Sequence, residues 1–216
     1  MVSVKIAVTG THSTGKTTFV EAVRAELAAH GYRVAVVSDL GEEALNRGFP
    51  ILYHHVPEST LWIMTTGIAR ELEAALAADV ILVDRPVPDA LGYYQAALAY
   101  RRETAPPAAM TYLVALAQHH ARTYDMIFST ELDPTIPLGT NKPRDSDGRF
   151  RRMAAESIAN VLRVLGIAGE PLMANNRPMA VAAAVAFVLG RAAPNLESVR
   201  QQRGESLTAN QAEDCT

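Results

Sequence analysis

Short unbroken apolar runs alternate along this chain with longer stretches whose apolar positions recur every three or four residues, a rhythm of buried strands and amphipathic helices. Val4–Val8 reads as the first strand, and Thr17–His30 as a helix with Phe19, Val20, Val23 and Leu27 on its inner face, stopped by Gly31. Arg33–Val37 predicts a second strand, Glu42–Arg47 a short helix and Pro57–Ala78 a long one. Val80–Val83 is a third buried strand ending at Asp84, followed by helices over Asp89–Arg102 and Pro107–Thr123. Met126–Ser129 gives a fourth strand, Gly148–Leu165 another helix, Pro171–Ala174 a weak fifth strand, and Pro178 opens the last helix. Apolar strands separated by helices predict an α/β fold with a parallel sheet covered on both faces. Ligands of such sheets bind beyond the carboxyl ends of the strands, so the residue after each strand is where chemistry is expected.

Composition narrows the class. The chain has 216 residues, 49% hydrophobic and 20% charged, with a formal net charge of −3. That length suits one domain with one good core, and the balance of charge supplies no field to draw in nucleic acid or an acidic membrane. The single cysteine, Cys215, excludes an internal disulfide framework and fits a reducing compartment. The chain begins in strand material without a basic-then-apolar leader, and its most apolar stretch, Met179–Leu189, is too short to span a bilayer. A cytoplasmic protein is expected. From Pro194 onward the sequence is polar and poor in large apolar groups, so residues 1–193 are expected to form the folded domain and 194–216 a disordered tail.

Between the first strand and helix lies Gly10-Thr11-His12-Ser13-Thr14-Gly15-Lys16-Thr17, with Thr18 following. Two glycines, a lysine and a hydroxyl at these offsets form a phosphate-binding loop. Its backbone N–H groups turn inward on the β-phosphate, Lys16 reaches the β- and γ-phosphates, and the Thr17 hydroxyl ligates Mg²⁺. The helix behind it adds its positive end. A nucleoside triphosphate is the expected ligand, ATP with Mg²⁺.

Three strand ends carry further candidates. Asp84-Arg85 follows the third strand: Asp84 is placed to hold Mg²⁺ directly or through water, with Arg85 near the phosphates, the alternative being an Asp that only caps the next helix. Ser38-Asp39 ends the second, with Glu42 and Glu43 behind it, and Asp39 is the candidate base toward an acceptor hydroxyl. After the fourth comes a proline- and charge-rich segment, about residues 131–152, containing Lys142, Arg144, Arg149, Arg151 and Arg152. Guanidinium groups closing over a transferred phosphoryl group would make this an Arg-rich lid, with Arg144 and Arg151 as the candidate catalytic cations; a solvated basic helix start is the other reading.

Taken together, the loop at 10–18, Asp84-Arg85 with Asp89 following, Tyr124-Asp125 with Ile127-Phe128, and the proline-containing stretch leading to Arg144, Asp145, Phe150 and Arg151 resemble a family of small AAA-labelled P-loop proteins. That family includes the ribosylnicotinamide kinase domain and is similar more broadly to nucleoside and nucleotide kinases. The resemblance spans about residues 3–190. It implies a P-loop NTPase fold with a five-stranded parallel sheet in the kinase-type order 2-3-1-4-5, a lid between the fourth and fifth strands, use of ATP and Mg²⁺, and lid arginines on phosphates. The chain departs from many relatives in the lid, where Asn141-Lys142-Pro143-Arg144 precedes a later Asp147-Gly148, and at Pro86 after the Asp-Arg pair.

The acceptor is expected between the second strand and the helices after it, where Tyr53, His54, His55, Trp62, Arg70, Tyr93 and Tyr94 are the candidates. Trp62 could stack on a flat ring, with Arg70 or Arg85 holding an anion. A GTPase switch is a rival reading, but Arg144 stands where guanine recognition wants an Asp, and Asp89-Ala90-Leu91-Gly92 is displaced from its strand end. A mechanical ATPase is the second rival. The reading that best unites the motifs is a Mg-ATP-dependent phosphotransferase acting on a small nucleoside- or nucleotide-like acceptor, the alternative being a GTP- or ATP-binding hydrolase with no acceptor. Oligomeric state is left open, a homodimer included.

Overall fold

The computed structural model describes residues 3–12, 14–132 and 147–191. Five parallel strands form one sheet: β1 (Val4–Thr9), β2 (Val34–Val37), β3 (Val80–Asp84), β4 (Met126–Thr130) and β5 (Glu170–Leu172). Their order is β2-β3-β1-β4-β5, as the resemblance implied. The connecting helices are α1 (Lys16–Ala29), α2 (Gly41–Asn46), α3 (Pro57–Ala75), α4 (Val87–Arg101), α5 (Pro107–Ala121) and α6 (Gly148–Val164). A final helix, α7, occupies 177–191. Boundaries agree with the hydrophobic pattern to within a few residues; the pattern did not foresee the 3-10 turn at Leu52–His54.

One sheet face is closed by α1 and α7. Ile6, Val8, Leu82 and Phe128 meet Phe19, Val20, Val23 and Leu27 of α1 and Ala184, Val185 and Val188 of α7. The rings of Phe19 and Phe128 lie 4.7 Å apart at 55°, the tilted packing that aromatic quadrupoles favour. Each such side chain contributes roughly 1.5–3 kcal/mol by leaving water. On the other face, Ala7, Val37, Ile81, Val83 and Ile127 pack with Ala74 and Ala75 of α3.

Outside that layer, α4 joins α3, α5 and α6 through Met64, Leu91, Tyr94, Leu98, Leu113 and Val161. The approach of α6 requires Gly92: a β-carbon there would stand 2.6 Å from Ile158 Cγ1 and 2.8 Å from Ile158 Cα. Gly92 is thus a packing glycine inside α4, and the likeness of Asp89–Gly92 to a GTPase switch ends there. Ser13, Arg144 and most of the expected lid, as well as the expected tail, lie outside the described residues.

Candidate active site

The two glycines of the loop adopt backbone conformations that other residues resist, Gly10 at φ +127° and Gly15 at φ +85°. A β-carbon on Gly10 would stand 2.1 Å from Thr130 Oγ1. On Gly15 it would meet Nη2 of Arg177, at the head of α7, at 2.6 Å. Gly15 precedes the first turn of α1, and among the described residues no side chain caps it. The amides of that turn therefore remain for an external acceptor, and an anion is what the turn's dipole favours.

Lys16 is buried inside the loop, its ammonium donating to the Thr11 carbonyl and, at 3.3 Å, to Thr14 Oγ1. Burial, and then the neighbouring Arg85 charge, lower its pKa to about 7, against the pull of Asp84, Asp89 and Asp39. A buried ammonium with few anionic contacts is what a polyphosphate would complete. The Thr11 hydroxyl is also buried without a partner among the described residues.

Thr17 donates through Oγ1 to Asp84 Oδ2 at 3.0 Å, while Asp84 Oδ1 is buried without a partner among the described residues. A hydroxyl and a carboxylate side by side, with one oxygen unspent, fit Mg²⁺, which takes one or two protein oxygens and fills its octahedron with water and phosphate. No cluster of three or more His, Cys, Asp or Glu side chains suited to a metal occurs among the described residues.

Arg85 and Asp39 come together as expected from the strand ends, but on each other. Arg85 Nε donates to Asp39 Oδ2 at 2.9 Å, and Nη1 donates to Tyr93 Oη at 2.9 Å and to the Gly10 carbonyl at 3.2 Å. The guanidinium lies 5.1 Å from the Tyr93 ring centroid. Burial works to lower its pKa, but Tyr93, Asp39, Asp89 and Asp84 outweigh it, leaving Arg85 above its ordinary value and always charged. Its backbone sits at φ +73°, a left-handed conformation unusual for a side chain of this size, held while its N–H bonds the Val8 carbonyl at 3.1 Å. Asp39 is further fixed by the Gly41 N–H at 2.8 Å.

Two groups outside the expected site set belong here. Asp89, in the first turn of α4, accepts from Thr9 Oγ1 and, at 3.1 Å, from the Gly10 N–H, tying that helix to the entrance of the loop. Burial raises its pKa to about 6, opposed by the Arg85 and Lys16 charges. Thr130, at the end of β4, donates to the Thr9 carbonyl at 3.0 Å and shares a hydrogen bond with Thr14 Oγ1 at 2.7 Å. The strand-end rule points to both regions. Thr130 directly follows the expected strand Met126–Ser129, but an uncharged hydroxyl does not stand out beside the charged segment behind it.

A cavity of about 320 Å³ opens beside the loop, lined by His12, Asp39, Arg85, Asp89 and Tyr93 at one end and by residues of β2, α2, the 3-10 turn, α3 and α4. Of the expected acceptor residues, Tyr53, His54, His55 and Tyr93 line it. His55 is buried, and burial followed by the Arg101 charge lowers its pKa to about 4, so it is neutral. Trp62 and Arg70 serve elsewhere. Trp62 stacks on Phe49 at 5.1 Å beneath the Arg47 guanidinium, and Arg70 pairs with Glu43 at 2.5 Å. Tyr94 is in the α3–α4–α5 core. Arg151 is buried at the start of α6; burial lowers its pKa, with Tyr93 as the opposing neighbour.

A P-loop, a hydroxyl–carboxylate pair beside it and an adjoining cavity at the carboxyl ends of a 2-3-1-4-5 sheet match the P-loop kinase fold. A family model described as AAA domain matches residues 5–172, and the chain belongs to that family. No curated protein matches its sequence. Among solved structures, a thymidylate kinase from Ehrlichia chaffeensis is similar with a TM-score of 0.56 and 14% identity, over 86% of this chain and 99% of that one. NadR protein in complex with NR is similar with a TM-score of 0.54 and 14% identity, over 80% of this chain but only 43% of that one. At such identity the likeness is one of fold.

Proposed function

We propose that the protein is a Mg-ATP-dependent phosphotransferase acting on a small, nucleoside-like acceptor. The observation that carries this reading is the shared wall: His12, Arg85 and Asp89 belong both to the surroundings of the phosphate loop and to the cavity beside it. A cavity opening onto the phosphate site gives an acceptor a place beside the γ-phosphate. The kinship of fold with a thymidylate kinase and with NadR supports the same reading.

In the reaction, the acceptor oxygen forms a bond to the γ-phosphorus, the bond from that phosphorus to the bridging oxygen of ADP breaks, and the hydroxyl proton leaves to a carboxylate or water. Lys16 holds the β- and γ-oxygens, and Asp39 accepts a hydrogen bond from the attacking hydroxyl. Arg85 holds Asp39 in place and adds its positive charge near the transferring group. Thr17 and Asp84 would hold a Mg²⁺ arriving with the nucleotide, which would neutralise charge on the phosphates. Asp89 keeps the loop entrance in register with the acceptor cavity.

The test is an ATP-consumption screen of the full chain with and without added nucleosides, nucleotides and simple alcohols. ADP formation that requires an added acceptor is expected. Steady phosphate release with no acceptor would replace the reading with that of a hydrolase.

A further inference from the structure

Resting on that phosphotransferase reading, we propose that the acceptor is an uncharged alcohol with an elongated, mostly apolar body, and that phosphate esters are excluded. Its hydroxyl sits at the Asp39–Arg85 end, and its body lies along α3.

The first support is charge. Asp39, Glu42, Glu71 and Asp89 line the cavity, against the guanidinium of Arg85 among its described residues. That guanidinium is already matched by Asp39 at 2.9 Å. His55 adds no charge near neutral pH. The inner carboxylate, Glu71, asks nothing of a ligand: it accepts from His120 at 2.8 Å, Lys5 at 3.1 Å and Tyr124 at 2.9 Å. A dianionic ester would enter beside Asp39 and Glu71, whose countercharges are spent on Arg85 and Lys5, and beside the buried Asp89, and like-charge juxtaposition is how a site rejects a competitor.

The second support is shape. Ile63, Gly67 and Glu71 are spaced four apart on α3, a single stripe about 12 Å long at 1.5 Å per residue. The cavity therefore extends well away from the phosphate end, and the side chains facing that stripe include Val37, Leu40, Val83 and Val87. Gly67 leaves the slot open. It is buried, and a β-carbon there would meet only Leu40 Cδ1, at 3.7 Å, an ordinary contact. A flat ring or a short aliphatic body fits such walls; a bare sugar would leave its hydroxyls unpaired against them.

The deciding experiment measures binding by calorimetry on the full chain with matched probes: thymidine against thymidine 5′-monophosphate, 3-phenylpropanol against 3-phenylpropyl phosphate, and ribose as the polar control. Each alcohol is expected to bind at least tenfold more tightly than its ester, with no detectable ribose binding. Gly67→Leu should abolish alcohol binding while ATP binding stays within twofold, and Gly67→Ala, whose methyl the wall accepts, should weaken it several-fold. An ester that binds more tightly than its alcohol, alcohols that fail to bind, or a Gly67→Ala variant of unchanged alcohol affinity would overturn the proposal. Alcohol binding without ADP formation would instead sink the phosphotransferase reading and leave the cavity's preference standing.

Discussion

The phosphate loop and the cavity next to it make a site from different materials. The loop takes eight consecutive residues, Gly10–Thr17, and offers backbone amides, one ammonium and a hydroxyl. The cavity gathers residues of β2, α2, the 3-10 turn, α3, β3 and α4, together with His12 of the loop itself. A contiguous loop has one geometry or none, because its donors share a backbone. An assembled wall can lose a member and keep the rest. The first should fail all at once, the second by degrees.

The largest break is expected at Lys16. Lys16→Ala should lower turnover by roughly 10²–10³-fold, the scale of losing a preorganised charge donor at a transition state; a rate within a few-fold of the parent would remove the loop from catalysis. Next, Gly10→Ala should cost about 1–3 kcal/mol in backbone strain alone, with overlap on Thr130 added, and abolish nucleotide binding. Chemical denaturation and calorimetry read both effects. Asp84→Ala should leave the fold intact and raise the Mg²⁺ concentration needed for half-maximal rate by about tenfold or more, since it removes the carboxylate facing Thr17.

Cavity changes should be milder. Asp39→Asn is expected to cut turnover roughly tenfold with little change in ATP affinity, because a loose phosphoryl transfer asks little of its base; unchanged turnover would move that role to another group. The smallest effect is protonic. Lys16 titrates at about 7 in the free loop, and a bound polyphosphate must raise that value. At pH 8 the free ammonium is mostly deprotonated and the bound one charged, so nucleotide binding should take up close to one proton, falling toward none below pH 6. Calorimetry in buffers of unequal ionisation enthalpy measures this, and Lys16→Ala should remove it.

How much of this could be read in advance follows the same division. The strands, most helices and the conformations of Gly10 and Gly15 are local matters, carried by apolar runs and by what a tight turn needs, and they were legible in the sequence. Asp39, Asp84 and Arg85 were legible as strand-end residues, yet their pairing was not, because the Asp39–Arg85 contact joins positions far apart in the chain. Trp62 and Arg70 looked like ligand contacts because single residues do not say which way a helix is turned; the Phe49 ring and Glu43 claim them. Asp89 stood in a motif-like string that was only half of its meaning: its carboxylate turns toward Thr9 and Gly10. Arg177 reaches the loop from α7, a distance along the chain that no spacing rule bridges.

The guanidinium of Arg177 resting against Gly15 reaches beyond the site itself. The stretch shared with the AAA domain family stops at Leu172, five positions before that arginine. A fragment trimmed to the matched stretch would keep all of the nucleotide motif and the five strands but for Val4. It would nonetheless strip the roof from the loop and wet the flank of Phe128 and Val20 that Ala184 and Val188 keep dry. Residues 177–191 are therefore core, not an appendage: they complete the packing that the matched stretch leaves open.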